Sequence, residues 1–243
     1  MLQNPRPRLP NTEFLRFQKA VSHKRLKSHQ CYPSETDTDL LFTYLWNIAL
    51  SEAIYPVLHI FEIAVRNSFY EAISRFSHEN WLHEIDTDVL LENEIYVVKN
   101  AIVSLNKKGK DISKDNLISE LNLGFWISLS YRKYERPHKL YPKLFKDKDF
   151  FPNLPRINRT RLTLSDRLTS IVKLRNQVFH HNPIWKDKDL ERKYSIALDV
   201  IHWTSPMLHE MTKTSSRFLE VYSQGRIDAK EAAQRISEKY LQL

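Results

Sequence analysis

Glycine is scarce in this chain, with only 3 in 243 residues. Tight hairpin turns need glycine at positive φ, so the scarcity argues against a β-rich fold and favours helices. The patterns G-x-G-x-x-G and G-x-x-x-x-G-K-[ST] are also missing, which excludes the usual phosphate-cradling loops. We therefore predict an all-α fold.

Cysteine is almost absent as well, because Cys31 is the only one. A single cysteine excludes an intramolecular disulfide and any cysteine-rich zinc module. Neither H-E-x-x-H nor C-x-x-C occurs. His202 and His209 are seven positions apart, but Ser205-Pro206 should break the helix between them. We predict no metal site and no cofactor.

Long uninterrupted hydrophobic runs are missing too. The most apolar stretch, residues 40–69, is interrupted by Asn47, Glu52, His59, Glu62, Arg66 and Asn67. We expect a buried amphipathic helix there, not a membrane span. The first ten residues hold prolines and arginines without an apolar centre, so we expect no signal peptide and a cytoplasmic protein.

The net charge is +8, and its distribution is more informative than its size. Residues 1–30 contain seven Lys or Arg and one Glu, and residues 131–161 contain ten Lys or Arg and three Asp or Glu. Two basic segments predict a path for a polyanion. The RNA-binding candidates are Lys24, Arg25, Arg132, Lys133, Arg156, Arg159 and Arg161. The alternative is that both basic segments are merely exposed to solvent and bind no RNA.

The organisation expected from these patterns is a basic N-terminal lead-in and one helical domain. Residues 1–35 should be the lead-in, irregular apart from a short helix over Glu13–Ser22. Residues 36–243 should form the domain. Pro56 should kink its first long helix or restart it, residues 132–160 should be a long loop with about one helical turn, and Gly225 should end a helix.

The side chains best suited to catalysis or phosphate binding lie in the eleven residues 174–184, LRNQVFHHNPI. They belong to a helix capped by Thr163 or Ser165 and terminated by Pro183. An arginine fork such as that of Arg175 holds phosphate through two bonds. Histidine transfers protons near neutral pH. The helix C-terminus, which favours a cation, suits such a histidine.

The spacing raises a geometric difficulty. Residues five apart on an ideal helix lie about 140° apart around its axis, so Arg175 and His180 would not share a face. Two circumstances would relieve this: Asn182, before Pro183, must leave the helix, and an arginine side chain is long enough to wrap around it. Alternatively, two copies of the helix meet in a dimer. A histidine that merely caps the last carbonyls is the alternative to catalysis.

Arg175-Asn176-x-x-x-His180-His181-Asn182-Pro183 resembles the R-x₄-H motif of HEPN domains, in the form found in Abi-like (AbiD/AbiF) abortive-infection proteins of bacteria. Residues 44–53 and 58–67 are similar to that family's opening block, and residues 124–129 to its middle block. The similarity extends over about residues 12–215.

The resemblance implies a HEPN-type helical bundle with additional helices. It further implies a metal-independent endoribonuclease in phage defence or a toxin–antitoxin system, with a protein or RNA antitoxin and a homodimer with a composite active site. RNA, single-stranded or in loops, would be cut by its own 2′-hydroxyl. Arg175 and His180 would be the catalytic pair, Asn176 the polar partner of the arginine, and His181 a secondary candidate.

Glu62, Arg66 and Asn67 lie within the family-like opening block. Glu62 and Arg66 are four apart, which by itself indicates only an intrahelical ion pair. The resemblance adds a second interpretation, in which they face the motif helix and orient Arg175 or His180. For the chain as a whole, a non-catalytic RNA-binding module and a purely structural helical dimer remain alternatives to the nuclease.

Overall fold

The fold is described from a computed structural model, which covers residues 12–30, 32, 35–135 and 140–241. Those residues form twelve α-helices, three short 3₁₀ helices and no strand, so the all-α prediction is confirmed. The first six helices are Thr12–Val21 (α1), His23–His29 (α2), Asp37–Phe76 (α3), Glu92–Lys107 (α4), Lys114–Glu120 (α5) and Leu123–Ser128 (α6).

The remaining helices are Leu140–Lys146 (α7), Arg161–Phe179 (α8), Leu190–Thr204 (α9), Pro206–Ser215 (α10), Phe218–Ser223 (α11) and Gly225–Tyr240 (α12). The 3₁₀ helices are Arg132–Tyr134, Arg156–Asn158 and Ile184–Lys186. Cys31 and the first ten residues, about which the sequence made predictions, lie outside the described residues.

The chain divides into two compact units, each built from separate stretches. Unit 1 consists of the described residues up to Ile54, of Gln177–Leu190, and of those from Arg217 on. Unit 2 consists of Tyr55–Asn176 and Glu191–Ser216.

Unit 1 has its core between α1, the first part of α3, and α12. Phe14, Leu41 and Ala233 are buried together, and Phe17 and Leu45 pack against them. The Thr38 and Ser237 hydroxyls hydrogen bond at 2.7 Å, which joins α3 to α12. The N-terminal helices are therefore part of a packed unit.

Unit 2 has an aromatic core. Trp81 lies 5.8 Å from the ring of Tyr70 and 6.3 Å from that of Trp126, the latter edge to face. Phe69 contacts Phe150 edge to face at 5.2 Å. Such pairs add to the free energy gained from burial.

α3 is one continuous helix of 40 residues with Pro56 inside it, so of the two effects expected of Pro56, a kink or a restart, the restart as a second helix does not occur. Proline removes one backbone hydrogen bond, but Ile54 and Val57 on either side are fully buried, and this packing outweighs that loss. By length and composition α3 is apolar enough to cross a membrane. Its Phe61 and Phe69 are nevertheless buried within unit 2, as in a core helix.

Several local predictions are confirmed. The expected N-terminal helix is α1. Ser113 or Asp115, and Ser205 followed by Pro206, are residues from which the sequence predicts helix starts. Ser113 caps α5 by accepting from the Asn116 N–H, and Ser205 caps α10, with Pro206 as its first residue. These signals are local, because a capping side chain and the backbone N–H that donates to it lie within one turn.

Other local predictions are wrong. Residues 23–29 are helical and not an irregular part of a lead-in, and the predicted loop contains α7, about two helical turns where about one was expected. α8 is capped by Thr160, whose hydroxyl accepts from the Thr163 N–H at 3.1 Å, and not by Thr163 or Ser165. Gly225 begins α12 instead of ending a helix.

Glu94 is a buried carboxylate in unit 2, with a side chain only 6% exposed. It accepts hydrogen bonds from the Ser128 hydroxyl and the Tyr134 hydroxyl, both at 2.9 Å, and pairs with the Lys133 ammonium. Burial raises the pKa of Tyr134, so its hydroxyl stays a donor. Lys133 thus neutralises a buried charge.

We predict that Lys133→Met lowers the free energy of unfolding by about 1–3 kcal/mol, because the buried Glu94 side chain loses the cation that pairs with it. The measurement is urea unfolding. Adding Glu94→Gln should recover part of the loss, since no charge is then buried. A double variant less stable than Lys133→Met would contradict this role.

Candidate functional site

The motif helix α8 ends at Phe179, and two backbone hydrogen bonds close it. The N–H of His181 donates to the Val178 carbonyl at 3.0 Å, and the N–H of Asn182 donates to the Gln177 carbonyl at 2.9 Å. This pair of bonds defines a Schellman motif. Both histidines therefore lie at the helix end, as predicted.

His181 takes the left-handed conformation, with φ of +56°. The chain thus leaves the helix at His181, one residue earlier than the predicted Asn182. Glycine is usual at this position, and an L-residue there costs about 1–2 kcal/mol. A histidine held in this conformation is a strained residue of the kind that clusters at functional sites.

Arg175 is oriented by hydrogen bonds within unit 2. Its Nε donates to Oε2 of Glu62 at 3.3 Å, across 113 positions of sequence. Its Nη1 donates to Oδ1 of the adjacent Asn176 at 3.4 Å. The structure thus brings together Arg175 and two of the side chains predicted to act with it.

Arg66 is joined to the same carboxylate. Its Nη2 pairs with Oε1 of Glu62, one helical turn away. Burial lowers the pKa of Arg66, the charge of Glu62 opposes that shift, and the nearby charge of Arg175 adds to it. One carboxylate therefore serves two guanidinium groups. Asn67 is exposed, and in the described part of the chain it forms no hydrogen bond with the motif.

His180 and His181 are exposed and line a cleft of about 240 Å³ within unit 1. The opposite wall is α2, whose Lys24 and Arg25 also line the cleft. Two cations predicted to contact RNA thus lie in one cleft with the two histidines of the motif. Ser22, Ser28 and Asn182 complete the lining.

α2 is attached to the residues that follow the motif. The Lys186 ammonium donates to the carbonyls of Ser28 and Gln30 at 2.7 and 2.8 Å, which satisfies free carbonyls at the C-terminus of α2. The indole N–H of Trp185 donates to Nδ1 of His29 at 3.4 Å. This attachment fixes the wall of the cleft.

Sequence reasoning missed His29 and Lys186. His29 is fully buried, and burial, followed by the charge of Lys186, lowers its pKa from 6.5 to about 4. Its neighbours are basic, so nothing nearby in sequence suggested burial. Trp185 and Lys186 directly follow the motif. The aromatic residue Trp185 was the one feature of the sequence that could have indicated a packing contact there.

The segment after the motif is held from α3 as well. The Asn47 side-chain amide donates to the Asn182 carbonyl at 3.2 Å. The ring of Trp46 lies 5.9 Å from that of Trp185. These contacts, all in unit 1, hold residues 182–185.

The second basic segment is mostly engaged in structural contacts. Lys133 pairs with Glu94, Arg161 pairs with Glu135 at 2.6 Å, and Arg159 donates to the carbonyls of Leu154 and Phe145. Arg132 and Arg156 are exposed. Of the five cations predicted to bind RNA in this segment, Arg132 and Arg156 are thus the two that remain exposed.

His202 and His209 come close although the helix is broken between them. Their rings lie edge to face in unit 2 with centroids 5.2 Å apart. His209 also contacts the carboxylate of Glu210 at 3.0 Å. In the part of the chain that the structure describes, no three histidine, cysteine or acidic side chains are grouped to hold a metal.

Comparisons with protein-family models, with curated proteins and with solved structures found no match.

His181→Gly should raise the free energy of unfolding by about 1 kcal/mol, because glycine adopts positive φ without steric cost. For a chain of this size that is a rise in Tm of roughly 2–4 °C. Calorimetry of His181→Gly beside His181→Ala checks it, since alanine keeps the strain. Equal stability of the two variants would contradict the left-handed assignment.

The free energy of unfolding should fall by up to about 3 kcal/mol as the pH drops from 6.5 to 4 on account of His29. The folded-state pKa is depressed, so the unfolded chain binds the proton first in this window. Urea unfolding at several pH values measures the slope. His29→Phe should flatten it, and an unchanged slope in that variant would show that His29 is not its source.

Proposed function

We propose that this protein is a metal-independent endoribonuclease of the Abi-like HEPN type. The observation that carries the proposal is the orientation of Arg175 by Glu62 and Asn176. A guanidinium held through its Nε by a carboxylate has little rotational freedom to lose when it binds a phosphate. Preorganised donors of this kind supply much of the stabilisation of a charged transition state.

The proposed reaction is transesterification within RNA. The 2′-hydroxyl oxygen attacks the adjacent phosphorus, the P–O5′ bond breaks, and a 2′,3′-cyclic phosphate and a 5′-hydroxyl result. Neutral His180 accepts the proton of the 2′-hydroxyl, and a protonated His181 supplies one to the leaving oxygen. Arg175 stabilises the charge on the phosphorane.

Chain connectivity supports the pairing of Arg175 with His180. Only five positions separate them, and the helical residues between contribute about 1.5 Å each along the axis. Because α8 ends at Phe179, His180 is not bound to the orientation of an ideal helix. In this proposal Glu62 is a positioning residue for Arg175, and Arg66 is a second cation that pairs with the same Glu62 carboxylate.

The biological setting follows the resemblance and is part of the proposal. We propose a bacterial cytoplasmic toxin or phage-defence protein, acting as a homodimer with a composite active site and restrained by an RNA or protein antitoxin. The mass of the particle in solution tests the dimer, and a monomer at working concentration would contradict it.

We expect the purified protein to cleave RNA in EDTA and to leave cyclic 2′,3′-phosphate ends. Arg175→Ala and His180→Ala should each reduce kcat by about 10²–10⁴-fold, because each removes a transition-state interaction. Lys173→Ala, which removes an exposed cation from the same helix, is the matched control and should retain full activity. The measurement is the initial rate of cleavage of a single-stranded RNA.

Loss of activity with chelator, or persistence in both alanine variants, would overturn this mechanism. RNA binding that weakens steeply with salt, without cleavage, would identify a non-catalytic RNA-binding module instead. For the positioning role, Glu62→Gln should lower kcat with little change in KM. A purely structural Glu62 would lower only the free energy of unfolding.

A further inference from the structure

We propose that the cleft between α2 and the end of α8 is a phosphate subsite, which binds a phosphodiester of single-stranded RNA next to the one that is cleaved. The inference rests on the proposed function for the identity of the strand as RNA. It goes beyond that function in stating that the protein also binds a second phosphate of the strand, and that Lys24 and Arg25 make this contact.

The charge of the cleft suits an anion. Lys24 and Arg25 lie on one wall and His180 and His181 on the other, and none of the described residues that line it is acidic. Across the described part of the chain, neither Lys24 nor Arg25 forms an ion pair with a carboxylate. Both cations are therefore available to a phosphate, and an arginine can bind it through two parallel bonds.

The wall that carries the cations is anchored. Lys186 and Trp185 hold the last turn of α2, and Leu26 and His29 are buried beneath it. Lys24 and Arg25 are therefore presented from a packed helix and not from a mobile basic arm. An anchored donor loses less entropy on binding than an unanchored one.

The lining also indicates which part of the strand is bound. The described lining contains no Phe, Tyr or Trp, and its two imidazoles and one guanidinium, the other groups on which a base can stack, are assigned to phosphates in this proposal. Its volume, about 240 Å³, is below the range of about 300–1,000 Å³ typical of pockets that enclose a drug-sized molecule. The subsite thus fits backbone phosphate and sugar, and it should show no base preference.

The test begins with a 2′-deoxy single-stranded oligonucleotide, which lacks the attacking hydroxyl and cannot be cleaved by this route. Lys24→Ala/Arg25→Ala should weaken its binding about tenfold or more, as expected when charge-assisted bonds are removed. The slope of log K against log salt should become shallower by about 0.7 for each phosphate that the variant no longer neutralises. Fluorescence anisotropy at several salt concentrations measures both.

Lys27→Ala is the matched control, because Lys27 lies on the same helix, is exposed and does not line this cleft. It should leave the affinity and the salt slope close to those of the wild type. Equal effects of Lys27→Ala and of the Lys24 and Arg25 substitutions would show a diffuse charge effect and overturn the subsite. Lys24→Gln/Arg25→Gln repeats the measurement with the charges removed but a polar side chain kept at each position, and it should weaken binding as the alanine substitutions do.

A second arm compares an RNA oligonucleotide with a dinucleoside monophosphate, which contains a single phosphate. The Lys24→Ala/Arg25→Ala variant should raise KM for the oligonucleotide more than for the dinucleotide. Equal losses on both would place these cations at the scissile phosphate and overturn the proposal. If the protein cleaves no RNA but its binding of the deoxy strand still depends on Lys24 and Arg25, the subsite proposal stands and the nuclease proposal is refuted.

Discussion

The two backbone hydrogen bonds that close α8 are the constraint on which the site in unit 1 depends. They turn the chain at His181, and that turn sends residues 182–186 towards α2 instead of along the helix axis. Both exposed histidines, the aromatic contact of Trp185 and the carbonyl contacts of Lys186 follow from this one change of direction. A glycine at position 181 would make the turn at lower cost, so the fold keeps a strained residue at this turn.

Charge neutralisation is organised differently in the two basic segments. Around α2 the cations remain available, because no carboxylate lines their cleft. In residues 131–161 three of the five predicted cations are used internally, one of them on the buried Glu94. Similar counts of Lys and Arg thus correspond to an anion-binding wall in one case and to fold stabilisation in the other. Net charge does not distinguish the two, because the distinction lies in which carboxylates and carbonyls the fold places nearby.

The sequence was sufficient for features whose causes are local. The scarcity of glycine indicated helices, Ser113 and Ser205 marked helix starts, and Pro183 marked the end of the motif helix. Features that depend on distant partners could not be predicted. The hydrogen bond of Arg175 with Glu62 spans 113 positions, and only the family resemblance suggested it. The burial of His29 and the continuity of α3 through Pro56 are set by packing, which overrides local preference.

The attachment of α2 through a neutral, buried histidine affects how this protein would respond to acid. Protonation of His29 would remove the acceptor of the Trp185 indole and place a cation beside Lys186. The cleft wall would then loosen while the backbone turn at His181, which contains no titrating bond, stays intact. A decline of activity in acid would therefore combine loss of the assembled cleft with loss of proton transfer. Measuring the free energy of unfolding over the same pH range would separate these two causes. A fall in the rate at low pH is therefore not by itself evidence that a catalytic group has been titrated.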